Sequence, residues 1–408
     1  MKAFLAKNKG LHRWLLADGV VLLLFFALRQ SRALMNALVF HVTLPPEQLI
    51  GKMCSYVPFS VAELCYVLLT LDVLACLILA VRYIVRSAHR GEALYRVVLF
   101  FANAVLTVYA VFCLLWGANY CTEDFCDRSG IVPQEVSCEE LVRVTQQFAD
   151  ALAECADTVT RDESGAFTAD RAAILAAAPE AYASLYEEFP FLEAQSFPPK
   201  PFRLSKILSA MNFTGFYFPF TGEANLNMDS PAAYLPCTAL HEMSHQRGYA
   251  SEQQCNFLAI VGSTRSDDPL FRYSGWLLGY IYLSNALYRA DYDKWLAIRD
   301  ALPDTVRLDI AQNNAYWSQY RGVTARVAQT LNDSMIRSYG DPLGTQSYGA
   351  VVDLLVTYYT GKLKLNHPSE PQKTGSICCR FFIACSFQNS LDTNTHRRRC
   401  RAECFPRR

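Results

Sequence analysis

The chain has 408 residues, 52% of them hydrophobic and 13% aromatic, enough for a membrane part and at least one folded domain outside it. Thirty-eight basic residues balance thirty-eight acidic ones, and no basic stripe with interleaved aromatics marks a nucleic-acid surface. The fifteen cysteines are scattered and form no CxxC pair of the kind that holds a structural metal.

Lys2, Lys7, Lys9 and Arg13 precede an apolar run over residues 14–28 that contains Asp18 and ends at Arg29. Alone it would suit a signal sequence. No convincing small-residue cleavage site follows and further apolar runs come later, so it reads as an uncleaved first span. Residues 29–56, with Pro45-Pro46, read as a mixed linker. Pro58-Phe59-Ser60 then leads into a second span over residues 61–81, with Glu63 near one end and Asp72 inside. An acid in a span is costly, and a helix-to-helix hydrogen bond is the simplest account of it. A transporter built on Asp18 and Asp72 is disfavoured, because three spans are few for a pathway. The third span, residues 97–116, is twenty residues without a charge, which matches the hydrocarbon thickness at helical rise. Arg82, Arg86, Arg90 and Arg96 face a single Glu92 between spans two and three. With the N-terminal lysines they place these segments in the cytoplasm and everything after Trp116 outside.

Residues 119–365 form the expected extracytoplasmic domain. Cys121, Cys126, Cys138 and Cys155 cluster at its start, where disulfides and buried free thiols are equally open readings. Ser137 and Glu140 make a capping-box pattern ahead of Leu141, Val144, Phe148 and Leu152, an apolar stripe at helical spacing. A second helical stretch covers residues 169–188, interrupted by Pro179. Phe197-Pro198-Pro199-Lys200-Pro201 reads as a rigid connector, followed by a short helix over residues 205–211. Residues 212–227, with Phe213, Phe216, Tyr217 and Phe218 accompanied by Gly215 and Gly222, suggest short strands and turns. Glu223 to Asn227 is a candidate sheet edge for an extended substrate, an ordinary hairpin being an equally good reading of the pattern.

The chemistry lies in His241-Glu242-Met243-Ser244-His245. On a helix, two histidines four apart leave the same face and can hold one zinc ion, with Glu242 beside them as general base. Two histidines leave such a site one protein ligand short. Glu252 is the nearest acid downstream, but on an unbroken helix it would sit about 10 Å along the axis from His245. The helix must therefore end near Gly248 and the chain fold back. Ser251 and Gln254 read as a capping box opening the next helix, with Glu252 as its first residue facing the histidines.

Pro58-Phe59-Ser60, Leu115-Trp116-Gly117, Thr214-Gly215-Phe216-Tyr217-Phe218-Pro219-Phe220, Gly222-Glu223-Ala224-Asn225, His241 to Gly248, Phe271-Arg272-Tyr273-Ser274-Gly275 and Ser347-Tyr348-Gly349 together resemble one family. It is an uncharacterised family of bacterial multi-pass membrane proteins (DUF3810-type), and the resemblance runs from about residue 40 to 360. It implies a zincin-like outer domain, mainly α with a small sheet, and brings no substrate. More distantly, Glu252-Gln253-Gln254-Cys255-Asn256 is similar to the Glu-x-x-Ala-Asp element of membrane gluzincin peptidases. That likeness implies Glu252 as zinc ligand and Asn256 as a group supporting a histidine. Cys255 departs from the alanine, and Gln254 stands where the family tends to have a further acid.

Downstream, residues 273–288 are apolar but interrupted by Ser274, Gly275, Gly279, Ser284 and Asn285, and read as a buried helix rather than a fourth span. Residues 309–337 suggest one long polar helix and 350–359 a short apolar one. From residue 366 a Cys/Arg-rich tail, with Cys378, Cys379, Cys385, Cys400, Cys404 and Arg397-Arg398-Arg399, reads as poorly ordered.

The expectation is a membrane domain over residues 1–118 and an outer gluzincin-like domain over 119–365. It would be a Zn2+ metallopeptidase acting on a peptide or protein through His241, His245, Glu252 and the base Glu242, with Tyr249, Arg247 and Tyr273 as candidate oxyanion donors. A non-catalytic sensor or interaction protein retaining the fold is the alternative.

Overall fold

The computed structural model describes residues 6–339 and 351–366. Lys2, the Ser347-Tyr348-Gly349 motif and the tail after residue 366 lie outside the described residues. Among the described residues, three helices are long and apolar enough to cross a membrane: α1 (Lys9–Leu28), α4 (Val61–Arg86) and α5 (Arg90–Leu115). The last two are longer than the apolar runs read from the sequence, because the flanking arginines continue the helical backbone. Asp18 of α1 accepts a hydrogen bond from Thr107 Oγ1 of α5 at 2.8 Å, so this acid is held between helices. Glu63 instead accepts from the backbone of Arg203 and Leu204, at 3.1 and 2.8 Å.

The stretch read as a linker is helical. It contains α2 (Arg32–Leu38), a π turn (Val39–Thr43) and α3 (Leu44–Ser55). Pro45 and Pro46 fall in the first turn of α3, where a missing N–H costs nothing. This strap packs Val39 and Leu44 beside Gly248.

Beyond α5, a 3-10 turn (Gly117–Cys121) and α6 (Phe125–Ser129) lead to α7 (Cys138–Cys155). The expected capping box forms: Glu140 N donates to Ser137 Oγ and Ser137 N to Glu140 Oε2, both at 3.2 Å. Leu141, Val144, Phe148 and Leu152 are all buried. Helix α8 (Arg171–Ala183) runs through Pro179 rather than breaking there. Every cysteine among the described residues is a free thiol, so Cys121, Cys126, Cys138 and Cys155 make no disulfide.

The rigid connector turns out to carry strand β1 (Lys200–Phe202). After α9 (Ser205–Ala210) come β2 (Gly215–Phe218) and β3 (Glu223–Asn227). The sheet order is β1-β3-β2, with β1 parallel to β3 and β2 antiparallel to it, Phe218 opposite Glu223. The hairpin reading of residues 212–227 holds and the sheet-edge reading of Glu223 to Asn227 does not. β3 is the central strand, buried along its length, with both hydrogen-bonding edges taken.

Two helices then build the heart of the domain, α10 (Leu235–His245) and α11 (Glu252–Arg265). Helix α12 (Pro269–Ala290) packs against α7 and α11 and buries Phe271, Tyr273, Leu277 and Leu283. Residues 273–288 are thus a core helix. The long polar helix is broken: α13 (Tyr292–Asp300) precedes α14 (Asp304–Ser318) and α15 (Val323–Tyr339), separated by a turn at residues 319–322. α16 (Val351–Asn366) closes the domain, with Leu354, Leu355 and Tyr359 in the same core.

The N-terminal end of α4 is fastened to the sheet. Glu223 accepts from Val61 N and Ala62 N at 3.1 and 2.8 Å, satisfying first-turn amides that have no partner within the helix. Ser60 Oγ donates to Asn225 Oδ1 at 2.6 Å. The membrane-length helices and the domain are therefore joined by buried hydrogen bonds as well as by the chain.

Candidate metal centre

Helix α10 ends in a turn that depends on one glycine. Gly248 has φ +84°, a left-handed conformation open to glycine without strain. Its N–H donates to His245 O at 3.0 Å and Tyr249 N–H to Ser244 O at 3.4 Å, the paired bonds of a Schellman stop. The turn brings the Tyr249 carbonyl back beneath the helix, where it lies 2.7 Å from His245 Nδ1. A carbonyl only accepts, so Nδ1 carries the proton and Nε2 is left facing the opposite way.

The chain re-enters a helix at Glu252, as the spacing demanded. Ser251 takes the extended N-cap conformation but makes no side-chain cap bond, so the expected box with Gln254 is absent. Gln254 Oε1 instead accepts from Phe125 N at 2.9 Å and anchors α6. From the first turn of α11, Glu252 Oε2 reaches within 3.1 Å of His241 Nε2, and Oε1 within 3.9 Å of His245 Nε2. The three ligand atoms lie within 4.8 Å of one another. One turn further on, Asn256 Oδ1 sits 3.0 Å from His241 Nδ1. Both imidazoles thus have Nδ1 engaged by an oxygen and Nε2 turned toward one carboxylate, a donor set that could hold a metal ion.

The electrostatics are those of a buried site. Burial pushes the His245 pKa down to about 4. Burial opposes the charged form of His241 too, but the hydrogen bond and charge of Glu252, with Glu242 behind, outweigh it and raise the pKa. Burial lifts Glu242 to about 8, and its Oε2 is buried with no hydrogen-bond partner. Gly215 of β2 explains how Glu242 fits. A Cβ there would lie 2.7 Å from Glu242 Oε1 and 2.9 Å from its Cγ.

His241, Glu242, His245 and Glu252 open on a cavity of about 1080 Å³. Strand β2 lines it, so the edge strand beside the cluster is Gly215–Phe218. Trp116, at the end of α5, meets the His245 ring edge-on at 5.4 Å, and Tyr217 packs on Trp116 at 5.1 Å. Tyr217 OH donates to Glu47 Oε2 at 2.9 Å. Nothing local in the sequence marks Gly215, Trp116, Tyr217 and Glu47 as site residues: the first three stand in the family motifs, but no local periodicity shows that these meet.

The three suggested oxyanion donors are engaged elsewhere and do not line the cavity. Arg247 is buried, bonded to Leu192 O, Met243 O and Tyr186 OH. Tyr249 OH accepts from Arg128 Nη1 at 3.1 Å. Tyr273 OH is bonded to Asp309 and Arg161.

A family model described as "Protein of unknown function (DUF3810)" matches residues 44–356. No curated protein and no solved structure matches the chain.

Proposed function

The chain belongs to the DUF3810 family, and we propose that it is a membrane-anchored, zinc-dependent metallopeptidase of gluzincin type. The observation that carries this reading is Glu252 placed against the Nε2 atoms of both His241 and His245 from a separate helix. Two imidazole nitrogens and one carboxylate are the protein share of a catalytic zinc site, which leaves a position for water. Zinc held there would supply Lewis acidity, making water acidic near neutral pH and polarising the scissile carbonyl.

The remaining work falls to the chain. Asn256 and the Tyr249 carbonyl fix the two rings in the tautomer that presents Nε2. Glu242, with its free Oε2, takes a proton from the attacking water as the oxygen joins the carbonyl carbon. When the C–N bond breaks, Glu242 returns that proton to the leaving amine, so one water is consumed per bond. The edge strand β2 offers main-chain groups to an extended peptide, the strand-addition mode.

The sidedness argument from Arg82, Arg86, Arg90 and Arg96 supports an extracytoplasmic position for this site. Metal analysis of the purified full chain, paired with a proteome-derived peptide digest, tests the proposal. One zinc per chain is expected in the unaltered protein and in Glu242→Gln, hydrolysis only in the former, and no zinc in His241→Ala. Full hydrolysis by Glu242→Gln would falsify the base assignment, and a metal-free, inactive wild-type chain would remove the whole reading.

A further inference from the structure

Two acids sit inside the membrane-length helices, and the fold treats them differently. Asp18 of α1 is buried and accepts from Thr107 Oγ1 of α5, which itself accepts from Trp14 Nε1 at 2.7 Å. Asp72 of α4 is exposed. Among the described residues its one hydrogen-bonding neighbour is the thiol of Cys76 on the next turn, a weak donor 4.0 Å from Oδ1.

Helix α4 is fastened only at its ends. Glu223 and Asn225 hold its start, and near its last turn Tyr83 OH accepts from Arg96 Nη1 at 3.1 Å. Of its 26 residues only Ala62 and Glu63 are buried, so the stretch between the fastenings lies largely open. At 1.5 Å per residue the helix is about 39 Å long, and Asp72 is about 16 Å from Val61. Centred in a hydrocarbon layer of about 30 Å, α4 holds Asp72 within about 3 Å of the midplane. So short a side chain reaches neither headgroup layer, the nearer being about 12 Å away. Nor does Asp72 line the cavity at the metal cluster. Protonation removes the charge but leaves an O–H and a C=O against lipid tails.

Asp72 also sets one face of α4 apart from the others. It is the one charged residue between Glu63 and Arg82. Cys65, Leu68, Asp72, Ala75 and Leu79 recur at alternating steps of three and four, the spacing of a helix-packing seam. Leu68 and Leu79 are more than half exposed, and Ala75, also exposed, lets a second backbone approach beside the carboxyl. A second copy of this chain is a poor match for that seam. Its described spans hold no basic residue between Arg13 and Arg29, Glu63 and Arg82, or Arg96 and Trp116, and α4 on α4 would set carboxyl against carboxyl.

We propose that the Asp72 face of α4 docks a transmembrane helix of another protein, one that carries a lysine or arginine near the bilayer midplane. The paired charges satisfy each other where neither finds water. Such docking requires that α4 cross the bilayer and is independent of the metal site.

The test uses the full chain in phosphatidylcholine nanodiscs with three synthetic helices of about 20 leucines, bearing lysine, aspartate or a further leucine at the midpoint. Being central, the lysine meets Asp72 whichever way the helix inserts. A benzophenone side chain replaces Leu79 on the Asp72 face or Leu74 on the opposite one. From position 79 the lysine helix is expected to cross-link at least tenfold more than the other two, and this excess is expected to vanish in Asp72→Leu. From position 74 the three helices should label alike. Equal labelling of the lysine and leucine helices from position 79, an excess that survives Asp72→Leu, or an equal excess from position 74 would overturn the proposal. So would capture of the aspartate helix as strongly as the lysine one. Asp72-dependent cross-linking between two copies of the chain would also overturn it, giving the face to a homodimer.

Discussion

Asn256 Oδ1 lies 3.0 Å from His241 Nδ1, one helical turn beyond Glu252, whose carboxylate meets the same ring at Nε2. One turn of α11 thus grips both nitrogens of one imidazole, and the amide decides which nitrogen is free. Asn256→Ala should weaken zinc binding by about 10–100-fold, the usual cost of losing such an orienting partner. Asn256→Asp, which keeps the acceptor, should retain most of the affinity. Competition against a chelator of known strength measures both, and an alanine variant as tight as wild type would show that the amide does not orient the ring.

Gly215 touches the proposed base from the neighbouring strand. A methyl there would meet Glu242 Oε1, Glu242 Cγ and Asn225 O within 3 Å. Gly215→Ala should cost about 1–3 kcal/mol of stability by overpacking and displace Glu242, so hydrolysis collapses while zinc content holds. Loss of zinc in step with activity would show that the damage is general rather than local to the base.

The Glu223 contacts to Val61 N and Ala62 N tie the sheet to the N-terminal end of α4. Hydrogen bonds to a charged group are worth about 1.5–3 kcal/mol, and Glu223→Gln should lose about that much. Thermal unfolding in detergent is the measurement. A variant as stable as wild type would mean that the helix end is held by other contacts.

Glu47 supplies a pH dependence outside the metal cluster. Burial lifts its pKa to about 8, against the Tyr217 hydrogen bond that lowers it. Below pH 4.5 the folded and unfolded chains both hold this proton. Between 4.5 and about 8 only the folded chain holds it, so stability falls as pH rises through that window, by up to about 1.4 kcal/mol per unit. Above 8 the loss levels off. Glu47→Gln should flatten this slope in a series of unfolding curves from pH 5 to 8. An unchanged slope would assign it to other groups.

Much of this protein is legible from local spacing. Two histidines four apart, a glycine three residues later and an acid beyond it require a helix, a stop and a return, because helical geometry places successive turns without reference to the rest of the chain. The three apolar stretches are visible for the same reason, since a mainly apolar run at 1.5 Å per residue has a length whatever surrounds it. Expectation fails where the partner is remote. Residues 29–56 look like a linker because the sheet turn and Gly248 that cover them come about two hundred residues later. Gln254 is drawn from its own helix cap by Phe125 N, and Arg247, Tyr249 and Tyr273, polar and close to the motif in sequence, are consumed by the core. Aromatics and glycines over residues 212–227 suggest short strands and turns, yet only the arrival of Lys200–Phe202 beside β3 makes Gly215–Phe218 the edge that borders the cavity. A strand pattern specifies which side chains share a face, whereas strand order is set by which backbones find each other, and that is a property of the whole folded chain.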